Sequence, residues 1–449
     1  MKLWFIATAF TLLLLCNDAC ALKGTWRGKL VFGQTELPLV FNFSENAEGQ
    51  TECTLDSPLQ GAKGIPTLVQ FCTVDSIALE CRTIGASFNG RISNDRISGK
   101  FAQRGMAFPL TLTLDASQEE RRPQTPKPPF PYTVIDTVFT APDGARLSAT
   151  LTLPVAYKNK RIPAVVMVTG SGPQNRDEEL FEHKPFAVIA DYLARNGVAS
   201  LRYDDRGTGK STGDFQKATT YVFKDDAKNG IDFLRKFKGI GKVGVLGHSE
   251  GGTIAFLLGG EKQADFIISL AGMAETGKET LMKQNIRSLD KAGITGKDKE
   301  NSVALLDLLF DTMAEQQRNR VITSINPDSL ARANGISVPP AVMASLRVAQ
   351  KARTPWFDAI LTLNPRESLS KIECALLAIN GDKDTQVEAE TNLAVIKKLV
   401  PRAVARKMPS LNHLMQRATT GEVSEYGEIR ETISPEVLAM MLDFILTLP

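Results

Sequence analysis

The chain has 449 residues, enough for two domains, and 43% of them are hydrophobic, enough for a sizeable core. Its 53 Lys and Arg are balanced by 50 Asp and Glu and both signs are interspersed, which excludes the basic footprint of a nucleic-acid binder and a polybasic membrane patch. Only three histidines occur, so any imidazole chemistry has few carriers.

Met1-Lys2 is followed by an apolar stretch from Leu3 to Leu15 and then by Ala19-Cys20-Ala21. A basic start, a short apolar run and a small-residue cleavage site predict a secretory signal peptide over residues 1–21, cut after Ala21. The run is short for a spanning helix, so no stable membrane span is expected after cleavage, and the mature protein is placed in a bacterial periplasm or outside the cell. In that compartment a bridge among Cys53, Cys72 and Cys81 is permitted, Cys72 and Cys81 flanking a hairpin turn at Asp75-Ser76; buried free thiols are the alternative. No cysteine or histidine spacing resembles a metal site, and no cofactor is expected.

Residues 22–117 alternate apolar and polar residues in short runs such as Leu39-Val40-Phe41-Asn42-Phe43, separated by turn clusters such as Gly61-Ala62-Lys63-Gly64. Helical spacing is absent, which predicts an antiparallel sheet or small barrel. Gly24-Thr25-Trp26-Arg27-Gly28 and Gly99-Lys100-Phe101-Ala102-Gln103 lead into similar Pro-Leu strands, as a barrel closed by related first and last hairpins would produce. Trp26 reads as core or barrel plug rather than a ligand-stacking residue. The next stretch, 118–131, contains Arg122-Pro123 and Pro126-Lys127-Pro128-Pro129, too much proline for helix or central strand, and is read as an extended spacer between domains.

From Tyr132 the pattern becomes strands alternating with helices, which implies a mostly parallel sheet covered on both faces. An opening hairpin fits Val134 to Leu153. Strands then fit Pro163 to Val168, Val198 to Tyr203, Lys242 to Leu246, Phe266 to Leu270, Ala375 to Ile379 and Ala403 to Met408. The pentapeptide Gly247-His248-Ser249-Glu250-Gly251 sits between a strand and a helix. Strand, G-x-S-x-G, helix is the context of a nucleophile elbow, where glycines allow the tight turn that lifts the serine above the sheet. Ser249 is therefore the candidate nucleophile, and the amide of Glu250, at the helix start, a candidate oxyanion donor.

A serine nucleophile needs a base and an orienting acid, in the chain order Ser, Asp or Glu, His. His183 precedes the serine and His248 lies inside the elbow, so His413, on a loop after a strand, is the candidate base. Asn380-Gly381-Asp382-Lys383-Asp384 offers two acids; the turn needed before a carboxylate can reach back favours Asp384, with Asp382 capping the turn. Gly170-Ser171-Gly172 follows the strand that should supply the second oxyanion donor, assigned to the Ser171 amide. Gly207-Thr208-Gly209-Lys210-Ser211 mimics the end of a phosphate-binding loop, but Asp204 stands where that motif requires glycine; Arg202 to Gly207 reads as a structural loop with Arg206 ion-paired.

The blocks Gly170-Ser171-Gly172-Pro173-Gln174-Asn175-Arg176-Asp177, His183-Lys184-Pro185-Phe186, Arg202 to Gly213, Gly247 to Gly252, Asn380 to Val387 and Asn412-His413-Leu414-Met415-Gln416 resemble α/β-hydrolase-fold carboxylesterases of the serine aminopeptidase-like group, in particular secreted bacterial members with an N-terminal β-rich domain. The resemblance spans nearly all of residues 132–449 and implies Ser249, Asp384 and His413 as the triad. Ala375 and Met415 depart from the usual residues of that group without touching the chemistry.

About a hundred residues between Ala271 and Lys371 exceed what a loop needs and show helical spacing, predicting a helical cap over roughly 273–370. Trp356 and Phe357 are candidates to line its pocket or to fill its core. His183 touches substrate or makes a hydrogen bond where its helix starts. The reading is thus a serine carboxylesterase acting on small-molecule esters, esters being favoured because no acidic cluster for a substrate ammonium stands out. An aminopeptidase on the same fold and a non-enzymatic binding protein are the alternatives.

Overall fold

The computed structural model of the chain describes residues 22–32, 35–46, 50–115, 121–158 and 161–448; the signal peptide expected over residues 1–21 lies outside them. The chain divides into two compact units, Met1–Glu120 and Arg121–Pro449.

The first unit is a closed, up-and-down antiparallel barrel of eight strands: β1 (Gly24–Phe32), β2 (Thr35–Glu45), β3 (Thr51–Ser57), β4 (Ala62–Cys72), β5 (Ser76–Cys81), β6 (Ala86–Ser93), β7 (Arg96–Gln103) and β8 (Met106–Leu114). Every second residue points inward, as the pleat dictates. The pairs Trp26–Leu114 and Arg27–Thr113 close the ring between first and last strands. Trp26, 2% exposed, is core, packed in one cluster with Phe41, Phe88 and Leu112. A Cβ on Gly99 would lie 2.0 Å from the Asn89 carbonyl, so only glycine lets β6 and β7 approach there. Cys53 and Cys81 are free thiols, so neither is bridged to Cys72; Cys81 instead contacts the Thr67 hydroxyl at 3.1 Å.

The second unit is built on one eight-stranded sheet of β9 (Thr133–Thr140), β10 (Arg146–Leu153), β11 (Ile162–Val168), β12 (Ala199–Tyr203), β13 (Ile240–His248), β14 (Phe266–Leu270), β15 (Ala375–Gly381) and β16 (Val404–Met408), in the order β16-β15-β14-β13-β11-β12-β10-β9. The opening hairpin is antiparallel and β10 meets β12 antiparallel; every other pair is parallel. This is the α/β-hydrolase architecture. Its central strands carry apolar residues on both faces and are fully buried, as a sheet covered on both sides requires. Helices α1 (Pro185–Arg195), α2 (Thr220–Arg235) and α3 (Glu250–Gly260) follow successive strands. Six helices form the cap: α4 (Gly277–Lys291), α5 (Gly296–Asn319), α6 (Pro327–Ala333), α7 (Pro340–Lys351), α8 (Pro355–Thr362) and α9 (Pro365–Leu369). Proline opens each of the last four, where its missing N–H costs nothing. Leu305, Leu309, Phe310, Met313 and Leu346 give the cap its own core. Helices α10 (Ala389–Leu399) and α11 (Pro435–Leu446) complete the unit.

The proline-rich stretch differs from the expected spacer from Arg121 onward. The Arg122 guanidinium donates to the carbonyls of Phe181, Gly427 and Ile429, and Gln124 exchanges hydrogen bonds with the backbone of Thr432 and Ile433. Prolines remove backbone donors, but side chains of their neighbours restore an anchor, and the segment lies on the second unit as a strap. Among the described residues no helix is long and apolar enough to cross a membrane, and no His, Cys, Asp or Glu cluster is arranged to hold a metal.

Candidate active site

Ser249 follows β13 and caps α3 with φ 53° and ψ −116°, a strained conformation for a residue with a side chain. Its surroundings enforce it. A Cβ on Gly247 would sit 2.0 Å from the Gly251 carbonyl, and one on Gly251 the same distance from the Val168 carbonyl. The Ser249 amide donates to Leu270 O at 2.8 Å, tying the turn to β14. The hydroxyl is half-buried and makes no hydrogen bond among the described residues; contacts between a nucleophile and its base commonly tighten only when substrate is bound.

His413 lies on the loop after β16, 3% exposed. Its Nδ1 is 2.7 Å from Asp384 Oδ2. The other Asp384 oxygen accepts from the amides of Gln386 and Val387, so the carboxylate is fixed before it meets the ring. Asp382 does different work from the turn-capping expected of it. It accepts from the Ser410 amide at 2.7 Å and so holds the histidine loop itself.

The loop after β11 carries the candidate oxyanion donor Ser171. Gly170 passes so near the elbow that a Cβ there would lie 3.2 Å from Ser249 Cβ. Neither the Ser171 amide nor the Glu250 amide donates to a protein acceptor among the described residues, which leaves both for an oxyanion. Asp205 anchors this loop through the Thr169 hydroxyl and the Gln174 amide. Burial, reinforced by the Glu250 and Glu178 charges, pushes the Asp205 carboxyl well above its ordinary range. The arginine loop is structural, as its sequence suggested: Arg206 forms a paired contact with Asp226 at 2.6 and 2.8 Å, and Arg176 holds Asp204.

Two groups escaped the sequence reading. Glu178, 1% exposed, bonds His248 Nδ1 at 2.9 Å and the Gly170 amide at 2.7 Å through the same oxygen. His248 Nε2 in turn donates to the His413 carbonyl at 2.9 Å, and the two imidazoles lie 4.8 Å apart. A chain Glu178–His248–His413 therefore joins oxyanion loop, elbow and base. Burial alone would depress His248, but the Glu178 charge and hydrogen bond outweigh it and raise its pKa above 6.5. Glu178 stands one residue past the block that carried the family resemblance, and nothing in its spacing marks it.

Trp356, on α8, also has a role not foreseen. Its indole N–H donates to both oxygens of Glu250 at 2.9 and 3.0 Å, and Thr220 donates to Glu250 at 2.7 Å. The cap is thereby fastened to the residue after the nucleophile. Burial raises the Glu250 carboxyl. Phe357 packs on Phe310 in the cap core, at 6.0 Å between rings. His183 neither faces the nucleophile nor bonds at its own helix start. It is fully buried between Thr432, the Tyr426 carbonyl and Gln416. Burial, with the charge of Arg122, lowers its pKa to about 4.

Three buried carboxylates, Glu178, Asp205 and Glu250, gather behind the nucleophile, an acidic cluster the sequence did not show. Each already accepts from protein donors, so the cluster orders the site's own loops.

An elbow serine, an acid–imidazole pair on later loops and two amides without protein acceptors at the carboxyl ends of parallel strands have the layout of the α/β-hydrolase class. Residues 143–408 match the X-Pro dipeptidyl-peptidase (S15) family, and the chain belongs to that family. Among relatives, it is 24% identical over 286 residues to the esterase EstD of Thermotoga maritima, covering 62% of each chain. It is 29% identical over 150 residues to an acyl transferase of Photobacterium leiognathi, covering 33% of this chain and 46% of that one. The alignment thus spans under two thirds of these relatives' lengths. Solved structures with overlapping folds include an esterase of Pyrococcus furiosus, at 15% identity and TM-score 0.44 over 71% of this chain and 92% of that one. Another is Est1E of Butyrivibrio proteoclasticus with bound ferulic acid, at 18% and 0.40 over 69% and 100%.

Proposed function

We propose that the protein is a serine carboxylesterase acting on small-molecule esters. The observation that carries this reading is the 2.7 Å Asp384–His413 bond on a loop that His248 ties directly to the elbow. In the proposed reaction His413 Nε2 takes the Ser249 proton as the oxygen attacks the ester carbonyl. Asp384 keeps the Nδ1–H tautomer and stabilises the imidazolium. The amides of Ser171 and Glu250 receive the oxyanion. Collapse of the tetrahedral adduct expels the alcohol, which leaves with the proton from His413. Water then enters, gives its proton to His413 and releases the acid from the acyl-enzyme, restoring Ser249.

Esters are favoured because the nearest carboxylates are occupied by Thr220, Trp356, Thr169, Gln174, His248 and Gly170, leaving none to seat a substrate ammonium. The esterase name of the Thermotoga relative supports the same choice. The family description favours a second reading, cleavage of peptides after an X-Pro pair. Turnover of p-nitrophenyl esters of graded length, beside aminoacyl- and X-Pro-naphthylamides, separates the two. Ester turnover that dominates and vanishes in Ser249→Ala supports the first; a preference for the X-Pro amide overturns it. Export is part of the proposal, on the signal-like residues 1–21. Mass analysis of the protein from the periplasmic fraction should find a chain beginning at Leu22, and an intact Met1 there would count against it.

A further inference from the structure

The barrel of the first unit is not filled to its end. A cavity of about 450 Å³ opens within it, in the size range of small-ligand pockets. Its walls are the inward side chains of two successive layers: Leu39, Leu55 and Phe101 below, and Leu37 and Phe108 toward the mouth. Lower still, Phe41 and Phe88 meet at 5.6 Å and, with Trp26, block the axis. The cavity is therefore blind and apolar, with a depth of two strand layers plus the rim. Eight-stranded barrels have interiors just wide enough either to be filled by side chains or to hold one small ligand, and this one does the first at one end only. Wall atoms facing a void forfeit dispersion contacts that an apolar guest would supply.

The mouth has a different character. It is ringed by the β3–β4, β5–β6 and β7–β8 connections, each turning on a left-handed glycine, Gly61, Gly85 and Gly105, with nothing within 4 Å of where their side chains would be. Gln60, held by Ser57, and Gln103, held by the Ile84 carbonyl, place amides at the rim. Among the described residues Arg104 is the one charged side chain lining the cavity; it is exposed and has no acidic partner among them. The chain enters the barrel at Gly24 and leaves at Leu114, both at the opposite end.

From this geometry we propose that the barrel binds one single-chain carboxylate, a medium-chain fatty acid, with its tail between the leucine walls and its head at Arg104 and the rim amides. The tail accounts for the blind apolar depth, and a rim cation with no acidic partner among the described residues accounts for the sign of the head. This assignment does not rest on the esterase reading, since it invokes no residue of the second unit.

The test is calorimetric titration of the full-length Ser249→Ala protein, which keeps the barrel intact and removes nucleophilic chemistry, with octanoate, decanoate and dodecanoate. One equivalent should bind, tightening about fourfold for each added methylene until the cavity is full. Leu39→Trp fills the cavity. Ala62→Trp blocks the mouth from a half-exposed rim position that leaves the barrel core untouched. Either should weaken dodecanoate by more than about tenfold, the loss of the burial of several methylenes. In the Ser249 background the same two variants should retain ester turnover. Arg104→Glu should weaken dodecanoate about fivefold, the scale of an exposed charge contact, while leaving dodecanol unchanged. Absence of binding in Ser249→Ala, or binding undiminished in Ala62→Trp while the barrel melts normally, overturns the proposal. Equal loss of acid and alcohol in Arg104→Glu overturns the headgroup assignment.

Discussion

At the scale of single residues, the site separates groups that react from groups that position. Ser249→Ala removes the nucleophile and should lower kcat by about 10⁴–10⁶-fold, and Asp384→Asn by about 10⁴-fold through the wrong imidazole tautomer. Asp382→Asn, at a carboxylate that accepts from the Ser410 amide and does not touch His413, should stay within about tenfold of the parent; steady-state ester kinetics on the three variants checks the assignment. His248 does not reach the bond being broken, yet it holds the His413 carbonyl. His248→Gln should therefore cost about 10²-fold in kcat with KM nearly unchanged, the signature of a base displaced by a fraction of an ångström. The two buried histidines also give opposite pH dependences. His248 has a raised pKa, so the stability it contributes is complete below about pH 6.5 and is lost as pH rises through the raised value. His183, lowered from 6.5 to about 4, contributes stability above about pH 6.5 that is lost as pH falls toward 4. Denaturant unfolding at pH 5 and pH 7.5 should show His183→Gln abolishing an acid-side loss of about 2 kcal/mol, whatever its effect at neutral pH.

At the scale of elements, the elbow works because three segments are pressed together with no room for side chains. Gly247 lies next to the end of β13, α3 begins beside Gly251 and Gly252, and the loop after β11 passes over Ser249 at Gly170. Gly170→Ala would place a methyl 3.2 Å from Ser249 Cβ and push the oxyanion loop away. The expected result is a fall of about 10²–10³-fold in kcat, the loss of one oxyanion donor, with a melting temperature close to the parent's. The cap is tied to the same point from above, since Trp356 on α8 donates to Glu250. Cap, elbow and α2 thus share one buried carboxylate, so a shift of α8 is passed to the residue that follows the nucleophile.

At the scale of the whole molecule, two cores are built on different periods, a barrel on alternation and a doubly covered sheet on apolar runs. Each has its own buried aromatic residues, and each should unfold as its own unit. Phe41, fully buried where the barrel is plugged, is the place to test this. Phe41→Ala should destabilise one calorimetric transition by about 3–5 kcal/mol and leave the other in place together with ester turnover.

Much of this was legible along the chain. The opening hairpin, the strand Phe266–Leu270 and the elbow carry local signals, because period and glycine act within a few residues. Elimination among three histidines, and the need for a turn before the acid, were enough to select His413 and Asp384. Other features were silent for a shared reason. Glu178, the Trp356–Glu250 bond, the docking of Arg122 and the space inside the barrel each depend on residues brought together from distant parts of the chain, by packing that no spacing encodes. The order of residues determined which groups are candidates for the chemistry, since the nucleophile's turn and the strand pattern are local physics. Only the tertiary structure decided what holds those groups in place and where the interior stays open, since burial and long-range hydrogen bonds arise only once the sheet and barrel have closed.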